Sequence, residues 1–278
     1  MTRRNRMIRH AVAAGLALAV TAGPAAAAGA EPFKITNIHF ETNASACDMG
    51  IQMSFDTDGV SEGFVKDPNG QVVYQFGSVG GPEETHNITE GFQERVEPQI
   101  VELRRALGCE RDAEEPQSLL TELLSAWPEG KYIFRGQSED TNFRGFAMLS
   151  HKVPAGPEIL APEDGDVVPA NEELVLRWRK VTDAIIPELG PVQVVGYHVV
   201  IADATQPEPL PPGKFPAQLD VDLPASAISF LVAKQFLRSN RIYEFEILAT
   251  EAGGNQTISE GGVFCTQPIK PADCEKPE

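Results

Sequence analysis

Apolar and polar residues alternate with a period of two along most of the chain, which predicts half-buried strands rather than helices. From Glu173 to Trp178 the positions Leu174, Leu176 and Trp178 share one face. Tyr197, Val199 and Ile201 do so between Val194 and Ala202, and Leu219, Val221 and Leu223 between Ala217 and Leu223. Ser229 to Val232 reads as a short strand before Leu237. Arg241 to Thr250 places Tyr243, Phe245, Ile247 and Ala249 together, Gly253-Gly254-Asn255 turns the chain, and Ile258 to Phe264 closes the sheet. Pro207 to Pro216 carries five prolines, which a central strand does not accept.

The N-terminal half mixes strands with two short helical patterns. Phe33 to Glu41 alternates, with Ile35, Asn37 and His39 on one face and Ile38 and Phe40 on the other; Ile51, Met53 and Phe55 share a face in the next strand. Asp56-Thr57-Asp58-Gly59 reads as a turn, and Asp67-Pro68-Asn69-Gly70 as a hairpin turn between Phe64–Lys66 and Val72–Phe76. Ile100, Leu103 and Leu107 share one face of a predicted helix whose first turn takes Pro98 and which Gly108 stops. Leu119, Leu120, Leu123, Leu124 and Trp127 form the apolar stripe of a second, from Pro116 to Ala126. Lys131–Gly136 and Phe143–Lys152 read as closing strands. The fold class is therefore mainly β, a strand-rich α+β domain over 31–155 followed by a β-sandwich over 156–267 and a tail over 268–278. The boundary lies in the proline-rich join Val153-Pro154-Ala155-Gly156-Pro157.

Two resemblances follow. The C-terminal half resembles a fibronectin type III domain: Trp178 stands as the core tryptophan of the second strand, and Leu237 and Tyr243 have the spacing of a tyrosine corner. That likeness implies a seven-strand sandwich and no particular activity. The whole chain is similar to a group of uncharacterised exported bacterial two-domain proteins through Asp48, Gly50, Ile51, Asp67, Pro68, Gly70, Pro128-Glu129-Gly130 and the join from Ser150 to Pro157. This second likeness implies architecture only.

Residues 1–30 read as a signal peptide: Arg3, Arg4, Arg6 and Arg9, an apolar run from Ala11 to Val20 too short to span a bilayer, and small residues before a cut near Ala30. No later segment is apolar enough to cross a membrane as a helix. The leader holds four of the 23 cationic residues and none of the 40 acids, which leaves the mature chain 19 against 40, a net of -21. Such acidity excludes a nucleic-acid partner. It fits a soluble periplasmic or secreted protein meeting an envelope or extracellular protein or glycan. Cys47, Cys109, Cys265 and Cys274 are even in number, which in that compartment suggests disulfides. Three pairings exist; Cys47–Cys109 with Cys265–Cys274 keeps each bond within one domain. A four-cysteine metal site would want a close CxxC pair, and none is present.

Catalytic motifs are missing: there is no GxSxG, HExxH or phosphate-cradling glycine loop. His39, His86, His151 and His198 lie far apart, with His39 and His151 the pair expected to meet. Asp48, Asp56, Asp58 and Asp67 are the candidate calcium ligands, since hard cations want several oxygens on tight loops; turn formation is the competing reading of the same residues. No catalytic or cofactor-binding residue is assigned. The sequence thus points to an exported, non-enzymatic binding or structural module. A hydrolase with an acidic site in the first domain, or a calcium-stabilised envelope component, stands as the alternative. Asn43, Asn87 and Asn255 begin formal glycan acceptor sequons.

Overall fold

The computed structural model describes residues 30–78, 80, 86–170, 172–205 and 217–275. Residues 1–29 of the predicted leader and the segment Pro207–Pro216 lie outside them. In chain order the strands of the first half are β1 (Ala30–Pro32), β2 (Ile35–Asn43), β3 (Asp48–Val60), β4 (Glu62–Lys66), β5 (Val72–Gly77), β6 (Ile88–Glu94), β7 (Gln99–Ile100), β8 (Gln117–Ser118), β9 (Gly130–Gln137) and β10 (Asn142–Leu149). Helix α1 (Val101–Leu107) follows β7, and α2 (Leu120–Ala126) follows β8. The second half contributes β11 (Ile159–Ala161), β12 (Asp166–Val168), β13 (Leu174–Trp178), β14 (Val194–Asp203), β15 (Gln218–Pro224), β16 (Ser229–Val232), β17 (Ile242–Glu251) and β18 (Gln256–Thr266).

The protein is mostly β and sandwich-like. A five-stranded sheet runs β1-β10-β9-β4-β5 and a three-stranded sheet β11-β13-β16. The third sheet, of ten strands, runs β15-β14-β17-β18-β2-β3-β7-β8, with β12 on β18 and β6 on β3. In the second half, Leu176, Trp178 and Val232 from the small sheet bury one core with Tyr197, Val199, Tyr243, Phe245 and Phe264 from the large one. The Tyr243 hydroxyl accepts from the Arg238 N–H at 2.8 Å and donates to the Phe236 carbonyl at 3.3 Å, the corner that the Leu237–Tyr243 spacing predicts. This half is fibronectin type III-like.

The first half buries a second core between the five-stranded sheet and one face of β2 and β3. Ile38, Phe40, Met49, Ile51, Met53 and Phe55 supply that face. Phe33 meets Phe55, Phe134 and Phe143 edge-on at 5.7, 6.3 and 6.1 Å. The two cores are distinct, yet the halves share backbone: β18 pairs in parallel with β2 through Gln256–Glu41, Thr257–Thr42 and Ile258–Asn43. Ile185 and Ile186 of the second half pack into the first core.

Three local expectations change. Asp56–Gly59 is no turn; it lies within β3. There the register against β6 slips between Asp56 and Val60, a bulge that absorbs the turn-forming residues where the chain leaves the large sheet for β4. The second helix starts at Leu120 because Gln117 and Ser118 pair with Gln99 and Ile100 as strand. The first helix starts at Val101, beyond Pro98 and Ile100, because Gln99 and Ile100 pair as strand β7; strand β6, which carried no clear alternating signal, gains its order from β3. By contrast Asp67–Gly70 is the expected turn: Gly70 has φ 86° and its N–H reaches the Asp67 carbonyl at 3.0 Å. Gly108, at φ 81°, ends α1 by donating to the Arg104 carbonyl.

Candidate functional site

Side chains of directly paired residues share a sheet face. The face of β2 and β3 opposite the core therefore presents Glu41, Asn43 and His39 beside Gly50, Asp48 and Gln52, with Gln256 beyond Glu41 and Glu94 beyond Gln52. These positions are polar, yet Glu41, Asn43, Asp48, Gln52 and His39 are all buried. The segment between β6 and β7 covers them. Its Glu97 lies directly over Gly50, where any Cβ would collide with Glu97 Cγ and Oε1. Glycine at 50 is thus what allows Glu97 down onto the sheet.

Carboxylate oxygens of Glu41, Glu94 and Glu97 consequently lie within 4.8 Å of one another, Glu94 at the exposed side. Gln52 Nε2 donates to Glu41 Oε1 at 2.6 Å and to Glu94 Oε1 at 3.2 Å, and Gln256 Nε2 donates to Glu41 Oε2. Glu97 Oε1 and Asp48 Oδ1 are buried without a hydrogen-bond partner. Among the described residues no lysine or arginine pairs with any of these four acids. Burial, followed by the fields of Glu41, Asp48 and Glu94, pushes Glu97 up to about 9. Burial raises Glu41 to about 7 against the opposing Gln256 amide, and burial with Glu115 raises Asp48 to about 7.

A pH dependence follows. Each raised carboxyl holds its proton more tightly folded than unfolded. Stability is therefore full below the unfolded values of 3.8 to 4.5 and is lost as pH rises toward 7 for Asp48 and Glu41 and 9 for Glu97. In EDTA buffer the melting temperature is expected to fall by several degrees from pH 5 to pH 9, with Glu94 and Glu260 adding to the repulsion. Glu97→Gln, which cannot ionise, should flatten the fall. A Glu97→Gln profile as steep as the parent's would contradict this assignment.

The four aspartates singled out from the sequence do not converge. Asp48 joins the buried polar face, and Glu97 feels its field. Asp56 sits on β3 opposite Ile35. Asp58 is exposed and pairs with Lys34 at 2.5 Å. Asp67 closes its own turn, accepting from the Gln71 N–H at 2.7 Å. The glutamates escape the sequence reading because Glu41 lies some fifty residues from Glu94 and Glu97 and all three read as solvated acids; only Gly50 amid apolar neighbours marks a place of close approach.

His39 and His151 also stay apart. His39 points to the polar face, 3.1 Å from Asn37 Nδ2, with Nε2 unpartnered, and burial lowers it to about 4. His151 packs on Phe40 of the core face and bonds the Trp127 carbonyl at 2.8 Å. His198 lies between Asp220 at 2.9 Å and Asp222 at 2.8 Å on the outer strands, and His86 is exposed ahead of β6. The four cysteines form Cys47–Cys109 and Cys265–Cys274. Of the sequon asparagines, Asn43 and Asn255 are buried and Asn87 is exposed.

The five-stranded sheet carries the opposite charge. Its outward rows are Arg144–Arg135–Phe64–Gln75 and Phe146–Ile133–Lys66–Val72, with Met148 beside Lys131. Lys131 Nζ stands 4.0 Å from the centre of the exposed Phe146 ring. A shallow concavity of about 820 Å³ spans this face. Arg135 and Arg144 are cross-strand neighbours, and among the described residues neither forms an ion pair. Of the nearby acids, Glu62 accepts from Gln137 Nε2 at 2.7 Å and Asp67 serves its turn.

The fold and these two faces define a mostly β, disulfide-bonded protein with a buried acidic face and an open basic one. The two disulfides fit an oxidising extracytoplasmic compartment, and no helix among the described residues is long and apolar enough to cross a membrane. No protein-family profile and no curated protein matches the chain. Among solved structures, the FN1–FN3 domains of chicken CNTN1 align over 84% of this chain and 69% of that chain, at 12% identity and a TM-score of 0.29.

Proposed function

We propose that this is an exported, non-enzymatic binding module, freed of its leader near Ala30, that engages an anionic glycan through the outward face of the five-stranded sheet. The observation that carries the reading is the cluster Arg135, Arg144, Lys66 and Lys131 on one open face of a chain whose mature net charge is -21. Like charges placed directly opposite on neighbouring strands destabilise a sheet. An anionic ligand would relieve that repulsion, while Phe64 and Phe146 offer apolar surface to sugar rings. The shallow, extended shape suits a polymer better than a small substrate.

Binding of the mature protein to polygalacturonate, measured by calorimetry against neutral dextran, tests this. Binding to the acidic polymer alone, weakened by added salt, is expected. Arg135→Gln with Arg144→Gln should weaken it about tenfold, each exposed charge contact contributing up to about 1 kcal/mol. Equal affinity for dextran, or an unaffected double variant, would refute the reading. Preference for anionic lipid vesicles over the polymer would refute the glycan assignment in favour of a membrane surface.

A further inference from the structure

We infer that Glu41, Glu94 and Glu97 form a binding site for a hard divalent cation of calcium's size, roofed by the segment between β6 and β7. The argument is independent of the basic face. Oxygen ligands 2.3 to 2.6 Å from a shared calcium stand at most about 5 Å apart, and the three carboxylates already meet that condition at 4.8 Å. They come from three separate elements, β2, the end of β6 and the covering segment, so a bound ion would clip the segment to the sheet.

A second observation points into the same space. Glu97 is 9% exposed, yet its Oε1 has no hydrogen-bond partner, although the residue is pressed against Gly50 beside the other carboxylates. A buried carboxyl is ordinarily hydrogen-bonded, and one that ionises is paired or ligates a metal. Asp48 Oδ1, equally unpartnered and 1% exposed, is a further carboxyl oxygen on the same strand face, two residues from Gly50. Gln52 and Gln256 hold Glu41 from outside, as second-layer donors commonly orient ligating carboxylates. All-oxygen ligands favour calcium, magnesium and manganese over the softer zinc and copper. The exposed Glu94 leaves a route for the ion to enter.

The test is calorimetric titration and thermal melting of EDTA-treated mature protein with CaCl2, with MgCl2 in parallel. One calcium per chain and a melting temperature raised by about 5 °C or more at saturating calcium are expected, with magnesium giving a smaller rise. Glu94→Gln, an exposed change that leaves the fold intact, and Glu97→Gln should each abolish at least 90% of the calcium affinity, while Asp58→Asn leaves it unchanged. An unchanged melting temperature with no binding heat would overturn the inference. So would calcium binding that survives in Glu94→Gln, or that is lost in Asp58→Asn. Because glycan binding is read separately on the Arg135/Arg144 variant, failure of either proposal leaves the other standing.

Discussion

Asn255→Ala is expected to lower the unfolding free energy by about 2–6 kcal/mol, because it strands the buried Phe40 N–H, at about 1–3 kcal/mol, and removes two part-buried hydrogen bonds to carbonyls, at about 0.5–1.5 kcal/mol each. Asn255 is fully buried in the turn between β17 and β18. Its Oδ1 accepts from the Phe40 N–H at 2.8 Å, and its Nδ2 donates to the Ser150 and Lys152 carbonyls, both at 2.9 Å. One side chain thereby ties β2, the join between the halves and the C-terminal hairpin. Beside it, the Thr257 hydroxyl donates to the Pro154 carbonyl at 2.6 Å and the Ala44 N–H reaches the Ile258 carbonyl at 2.8 Å. Asn255→Asp, which keeps the acceptor but turns the donor pair into an anionic oxygen facing carbonyls, should be at least as damaging. Urea denaturation with unchanged m-value is the measurement. A loss under about 1 kcal/mol would mean that the halves are joined by something other than this residue.

Removing the Cys47–Cys109 bond by paired alanine substitution should cost about 4 kcal/mol, against about 2.5 kcal/mol for Cys265–Cys274, since loop-closure entropy grows with the residues enclosed. The separations are 62 and 9 residues. The longer loop contains β3, β6, β7 and α1, and with them Asp48, Glu94 and Glu97. Its opening should therefore also weaken calcium binding, whereas loss of the shorter bond, which clips the C-terminal segment, should not. Melting temperatures of the two double variants decide the order; the reverse order, or equal losses, would show that the tail clip carries more of the fold than chain entropy allows.

Much of the fold was legible because local rules agreed. Leu176 and Trp178, Tyr197 and Val199, and Tyr243 and Phe245 all face the core their alternation predicts. Gly70 and Gly108 end elements where only glycine is comfortable. The candidate sites were less legible. Asp56 and Asp58 were singled out for their spacing, but in a strand that bulges they diverge, and Asp58 settles on Lys34. Glu41 is far in sequence from Glu94 and Glu97, and the three meet only through strand pairing and the fold of the covering segment onto Gly50. The basic face was hidden for a related reason: Arg135, Arg144 and Lys66 are scattered among many acids in the chain, and the sheet alone places them in adjoining rows.

What the chain determined on its own is periodicity: which residues form most of the strands, and which side of those strands is apolar. Those properties depend on neighbours within a few residues. Which strands lie side by side was decided only in three dimensions, where β18 meets β2 across more than 200 residues and Glu97 descends onto Gly50. Backbone hydrogen bonding is blind to sequence distance and carries no side-chain code. The acids that such pairing brings together could not be told, residue by residue, from acids bound for water.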